Sequence, residues 1–526
     1  MTLRRLTSVL ALGGALLLAP GPLAMALAAP APAAKVMSQL PQVSGPIPVT
    51  ATSRPFLGAV EVMDAAGYVE EEYFLSGQAN VYDWVGATRD LKVVAGPGKY
   101  VTRILIRRPR DPSKFSGNVE VMLLNATTGV DLGGPIDVKR MVRQGDVWVG
   151  ITTKSLTANA LKKFDPVRYA PLDWTNPLPA AQRCEYPSII PLFMIGGEAA
   201  ARSLEPAPPS ADEDGLVWDM LGQLGVLLKS EDRHKILPGF GKPTVYMVGI
   251  SQSAINMRTW FVGFHDRYRT ADGRPVYDGY LAIVGPGVGR LNQCSSDVPL
   301  ADSRHKFLPP PKVPFISLSS EGEMWIGAYT HQPDVVSPKG GIVTYEVAGS
   351  SHARVDVPEL ARGGISAAKP DDAAKAGIRP DGTVGLAPSG TVKNDLIWAP
   401  VVRGAYHNLQ LWVRQGTIPP QAPGIAVDAN HAVKRDQYGN ALGGLRTPYI
   451  EAPTATHTGF LTAGGYGGMT GSKKPFSAET LKALYPDHAA YVAKFSAATD
   501  KLVAGRWISA EDAAAMKGGA EAAPVP

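Results

Sequence analysis

The chain has 526 residues, 45% of them hydrophobic and 19% charged, with a formal net charge of +5. There is ample apolar material for a large core, and so small a net charge at this length gives no reason to expect nucleic acid or an acidic surface as a partner. The 46 prolines and 56 glycines make up almost a fifth of the residues and predict many ordered loops; no stretch is charged and apolar-poor enough to read as disordered.

Residues 1–28 read as a secretory signal peptide. Arg4 and Arg5 form the positive start, the run from Leu10 to Leu18 the apolar centre, and Ala26-Leu27-Ala28 the small-x-small cleavage site. The apolar run is too short to span a bilayer and no other run of about 20 apolar residues exists. A periplasmic or secreted protein is expected, with no membrane insertion after signal cleavage. The two cysteines, Cys184 and Cys294, then predict one disulfide, the alternative being two separate buried thiols. Two cysteines alone cannot build a zinc site, and no metal or other cofactor is expected.

Residues 29–44 are Ala/Pro-rich and read as a flexible N-terminus. Segments 68–77, 100–109, 118–124 and 146–152 read as strands. From 153 to 212 prolines break the regularity, which predicts a lid-like excursion over the sheet. Its aromatic residues Tyr169, Trp174, Tyr186 and Phe193 either face an apolar substrate group or form the excursion's own core. Leu216, Met220, Leu224 and Leu228 recur at helical spacing, and strands follow at 245–248, 280–284, 313–318 and 342–347. Residues 363–395 read as a surface insertion. Helices are expected at 398–413, at 477–484 behind a Ser477 cap, and at 487–504. Strands alternating with helices imply one α/β domain over 45–505, a mostly parallel sheet with helices on both faces, followed by an Ala-rich tail at 506–526.

The most informative stretch is 244–261. An apolar, β-branched strand ends in Gly249-Ile250-Ser251-Gln252-Ser253, and a helix follows at once. A serine on such a turn has an exposed hydroxyl, with the amide of the next residue beside it. The competing role for Ser251 is a plain helix cap. Reactive groups in parallel α/β sheets gather beyond the carboxyl ends of strands, so an acid and a histidine should follow later strands. Ser320-Glu321-Gly322-Glu323 follows one and Ser350-Ser351-His352 the next. His352 would accept the serine proton, and Glu323, or failing it Glu321, would orient the imidazole. The Gln252 amide and one at Asn125 or Ala126, in a turn of small polar residues, would hold the oxyanion. His265, His331, His407 and His457 are placed less well for this role.

Seven segments in order, among them Phe115-Ser116-Gly117-Asn118-Val119-Glu120-Val121, Asp165-Pro166-Val167-Arg168-Tyr169, Gly249-Ile250-Ser251-Gln252-Ser253-Ala254 and Trp412-Val413-Arg414-Gln415-Gly416, resemble the exported bacterial α/β-hydrolase-domain proteins whose elbow reads Gly-x-Ser-Gln-Ser. The resemblance spans about residues 45–500. It implies an α/β-hydrolase fold, a serine nucleophile at Ser251 and cofactor-free esterase chemistry on a small-molecule ester. The family's acid loop usually reads Thr-Glu-Thr-Asp, and Glu323 stands where its Asp would be. The family's Trp after Val-Glu is absent, Val119-Glu120-Val121 being followed by Met122. A peptidase or amidase with the same triad, a binding protein that keeps the fold without turnover and, more remotely, a metal hydrolase are the rival readings.

Overall fold

The computed structural model describes residues 39–56, 58–127, 129–184, 209–324, 331–352, 392–460 and 465–525. Ten strands make one sheet: β1 (Gln42–Ser44), β2 (Tyr68–Trp84), β3 (Leu91–Pro109), β4 (Asn118–Leu123), β5 (Val147–Ile151), β6 (Thr244–Ile250), β7 (Gly279–Ile283), β8 (Pro314–Ser320), β9 (Val335–Ser337) and β10 (Gly340–Val347). Their order is β1-β2-β3-β5-β4-β6-β7-β8-β10-β9. The six strands from β5 to β10 in that order run parallel, while β1 to β3 at one edge and β9 at the other pair antiparallel.

Strands β4, β5, β7 and β8 are buried at every position because the sheet is covered on both faces. In β6, Val245 and Met247 point into one core and Tyr246 and Val248 into the other. Helices α1 (Val217–Lys229) and α2 (Gln252–Phe264) cover the first face, with Leu221, Leu224, Met257 and Trp260 fully buried. The second is covered by α3 (Ala399–Gln415), whose Val401, Ala405, Leu409 and Trp412 recur at helical spacing. The expected layering, helices on both sides of a mostly parallel sheet, is what forms.

The expected end of the domain at 505 is corrected. Beyond α4 (His488–Ala504), residues 506–525 do not trail off: α5 (Ala510–Glu521) is capped by Ser509 and buries Ala513, Met516 and Ala520 in the same core as Phe495 and Leu502. Alanine favours helix and its small side chain permits close packing, so an Ala-rich run of this length is core material once a partner helix is beside it. At the other end β1 already pairs with β2 inside the stretch expected to be flexible. The signal peptide and nearly all of 363–395 lie outside the described residues.

The excursion is anchored at its base. Bridges join Val101 to Asp173 and Thr175 to Asp212, and Cys184 is bonded to Cys294 with Cα atoms 5.1 Å apart. Tyr169 and Trp174 are buried in the core on the first face of the sheet and not in a core of the excursion's own; Tyr186 and Phe193 lie outside the described residues. Tyr169 joins a closed ionic cluster at the antiparallel edge. Its hydroxyl donates to Glu72 Oε1 (2.9 Å), Arg168 Nε donates to Oε2 (2.5 Å), and Arg103 pairs with Glu72 and, at 3.4 Å, with Asp131. Glu72, Arg103 and Asp131 are wholly buried; both Glu72 oxygens are hydrogen-bonded, while of the Asp131 oxygens only Oδ2 has partners, Arg103 and Thr152.

Candidate active site

The turn from β6 into α2 is forced by close backbone approaches. A Cβ on Gly249 would sit 2.5 Å from the Ser253 carbonyl oxygen and 2.8 Å from Ala254 Cα, and one on Gly285 would sit 2.3 Å from the Ser251 carbonyl oxygen. Ser251 itself adopts φ 56° and ψ −123°, a costly conformation for a residue with a side chain. The turn is locked by Ser253, whose hydroxyl accepts from Ile250 N and donates to Ile250 O, both at 2.9 Å. The Ser251 side chain does not cap the helix. Its Oγ instead lies 2.9 Å from His352 Nε2.

His352 follows β10 and is nearly buried. Its Nδ1 lies 2.5 Å from Glu323 Oε1, and since a carboxylate can only accept, Nδ1 is the donor there and Nε2 is the nitrogen turned to Ser251. Glu323 closes the 3-10 turn Glu321–Glu323 after β8, and its Oε2 accepts from both the amide and the hydroxyl of Ser320, each at 2.7 Å. This reciprocal cap holds the carboxylate in one rotamer. The spacing Ser320-x-x-Glu323 carried that information, yet Ser320 was not singled out from the sequence.

Glu321, the alternative acid, does not reach the imidazole. Its Oε2 accepts from Gly349 N (2.8 Å) and its Oε1 from Arg435 Nη2 (2.8 Å) and Gly459 N (3.2 Å). It thereby pins the loop that carries His352. Arg435 and Gly459 lie more than a hundred residues further along the chain, and nothing in the local sequence pairs them with Glu321.

The expected oxyanion donors divide. As the first residue of α2, Gln252 has an amide without a partner inside the helix. The Ala126 amide donates to the Gln252 side-chain oxygen at 3.3 Å, a long bond to a movable side chain that it would exchange for an oxyanion. Asn125 requires a correction: its amide donates to Leu132 O at 2.8 Å and is not available. Its side chain acts instead, Nδ2 donating to Ile250 O (2.8 Å) and Oδ1 accepting from Thr127 N (2.8 Å), and so clamps this loop to the end of β6.

Three of the other histidines are held by hydrogen bonds away from Ser251. His265 Nδ1 meets Tyr280 OH at 2.8 Å, His331 meets Glu346 at 3.0 Å, and His457, on the short strand Ala455–Thr458, meets Asn394 at 2.9 Å. Burial drives the pKa of His265 and of His457 down to about 4. Among the described residues no three His, Cys, Asp or Glu side chains converge as a metal site would require.

A strand, a strained serine elbow and a helix, with an acid and a histidine beyond two later parallel strands, agree with the match of residues 43–518 to the alpha/beta hydrolase domain family. The chain belongs to that family. No curated protein matches it. Solved structures similar to it include esterase Est22 (10% identity, 61% of this chain and 83% of that one, TM-score 0.28). A fungal esterase from Rhizomucor miehei is similar at 10% identity over 61% of this chain and 86% of that one, TM-score 0.27. The siderophore hydrolase EstA from Aspergillus nidulans is similar at 14% identity over 48% and 70%, TM-score 0.23. At such identities and scores they assign no role to any residue of this α/β hydrolase.

Proposed function

We propose that this protein is a serine hydrolase that cleaves small-molecule carboxylic esters through an acyl-enzyme. One observation carries the reading: an unbroken hydrogen-bonded line from Ser251 Oγ through His352 to Glu323, ending on a serine held at φ 56°. In this mechanism His352 Nε2 takes the hydroxyl proton as Ser251 Oγ adds to the ester carbonyl, and Glu323 steadies the resulting imidazolium. The amides of Gln252 and Ala126 receive the oxyanion, each donor contributing about 3 to 4 kcal/mol to lowering the barrier. His352 then protonates the leaving alcohol, and the same steps with water release the acid. Amide and peptide hydrolysis through the same groups is the rival chemistry. A role outside the cytoplasm, after cleavage of residues 1–28, is supported by the Cys184–Cys294 bond.

The test is labelling of the mature protein with a fluorophosphonate probe beside Ser251→Ala and Ser253→Ala, with nitrophenyl esters and matched anilides as substrates. Labelling and ester turnover lost in Ser251→Ala, with turnover down by about 10⁴-fold or more, are expected. Ser253→Ala should keep labelling and lose roughly 1 kcal/mol of stability with its hydrogen bonds. Labelling that survives Ser251→Ala overturns the assignment, and faster cleavage of anilides than of esters favours the amidase.

A further inference from the structure

The turn that carries His352 is gripped on both sides of one glycine. Gly349 adopts φ 72°, and a Cβ there would stand 2.5 Å from Ile450 Cδ1 and 3.0 Å from Leu396 Cδ1. Its N–H donates to Glu321 Oε2 at 2.8 Å, and its carbonyl accepts from Asn394 Nδ2 at 2.7 Å. Asn394 falls at the end of the stretch 363–395 that reads as a surface insertion, yet it is 1% exposed.

The Asn394 carboxamide has three further partners. Nδ2 also donates to Thr458 O (3.3 Å), while Oδ1 accepts from Leu396 N (3.0 Å) and meets His457 Nδ1 at 2.9 Å. Two carbonyls can only accept and the Leu396 amide can only donate, so the carboxamide has one possible orientation. Oδ1 therefore faces His457 as an acceptor, and Nδ1 is the nitrogen of that imidazole that carries a proton. Burial lowers the His457 pKa to about 4, so the ring is neutral at pH 7. His457 sets Asn394, and Asn394 sets Gly349.

We propose that Asn394, oriented by His457, is a positioning residue for His352. Glu321 on the N–H and Asn394 on the carbonyl fix the peptide planes on either side of Gly349, the residue type most free to rotate. His352 is three residues further on, and a displacement of about 1 Å in a reacting group can cost 10²-fold in rate. The two holds are not equivalent. Glu321→Gln still presents an oxygen to the Gly349 N–H, whereas removing the Asn394 donor takes a hydrogen bond from a buried carbonyl. The proposal rests on His352 as the base that serves Ser251.

Asn394→Asp in the mature protein tests it, since it keeps the size of the side chain and replaces the donor to Gly349 O by an acceptor. Expected are a kcat per fluorophosphonate-reactive serine lower by about 10- to 100-fold and a KM within about threefold of the original. The downfield proton resonance of His352 Nδ1–H, which the hydrogen bond to Glu323 produces, should shift or disappear. A residue that only stabilises the fold would lower Tm and leave both readouts alone. His457→Asn puts a donor where Nδ1 stands and His457→Leu does not, so kcat should fall further in His457→Leu. A folded Asn394→Asp with kcat and resonance unchanged overturns the proposal; should that variant not fold, equal kcat in the two His457 variants does so. The resonance reads the place of His352 whether or not Ser251 cleaves an ester, so a failed hydrolase assignment, seen as no labelling of the unaltered protein, is told apart from a failed clamp.

Discussion

Two buried polar networks on the same sheet are built from similar groups and differ in how they end. At the antiparallel edge Glu72 is surrounded by Arg103, Arg168 and Tyr169, and both its oxygens are occupied by donors from within the protein. Beyond β6, β8 and β10 the carboxylate of Glu323 is held just as firmly, by Ser320 and His352, but the line continues to a Ser251 hydroxyl that is only half-buried. The first network is closed and fastens the excursion to the sheet. The second is open at one end, and an open end is what a reacting group requires.

The contrast breaks most sharply at the two histidine-loop glutamates. Glu323→Gln, which presents a donor where the tautomer needs an acceptor, should lower kcat/KM by roughly 10³ to 10⁴-fold with little change in Tm. Glu321→Gln should do the reverse, costing stability through Gly349, Gly459 and Arg435 while keeping most of kcat; steady-state kinetics beside thermal unfolding separates the two. Equal losses of rate in both variants would erase the distinction.

At the closed network, Glu72→Gln leaves Arg103 and Arg168 short of a countercharge in a dry site and should cost about 3 to 5 kcal/mol, read from the denaturant midpoint. The kinetics of the protein that remains folded should change by less than about tenfold, since none of these groups touches Ser251 or His352.

A third prediction concerns pH. Glu213 at the base of the excursion is fully buried, accepts from Gly215 N (2.8 Å) and Gln293 N (3.3 Å), and has its other oxygen without a partner. Burial lifts its pKa to about 7, partly opposed by the Gly215 amide. A carboxyl that binds its proton more tightly folded than unfolded stabilises fully below the unfolded pKa and loses that contribution as pH rises through the folded one. Stability should therefore fall by up to about 3 kcal/mol between roughly pH 4.5 and 7 on account of this group. Neutral His265 and His457 act in the opposite sense, since their lowered pKa values make stability fall as pH drops below about 6.5. The difference between the unaltered protein and Glu213→Gln isolates the glutamate; a difference that does not vary with pH would show that its pKa is the same in the folded and unfolded chain.

Much of this was legible along the chain because it is local. Apolar runs in β4 to β8, the helical spacing in α1 and α3, and the glycine before Ser251 record demands made within a few residues of each other. The order of serine, acid and histidine was legible too, since each follows its own strand. What was not legible depends on distant neighbours. The Ala-rich stretch after 505 reads as a tail until α4 lies beside it, and Asn125 reads as an amide donor until Leu132 takes that amide.

The sequence by itself thus determined the layering of the sheet and the conformation of the elbow, because periodicity and backbone strain act over short spans of chain. Only the tertiary structure decided which glutamate faces His352. Glu321 and Glu323 are two residues apart and chemically alike, and they are told apart by partners that arrive from elsewhere: His352 and the Ser320 cap for one, Gly349, Arg435 and Gly459 for the other.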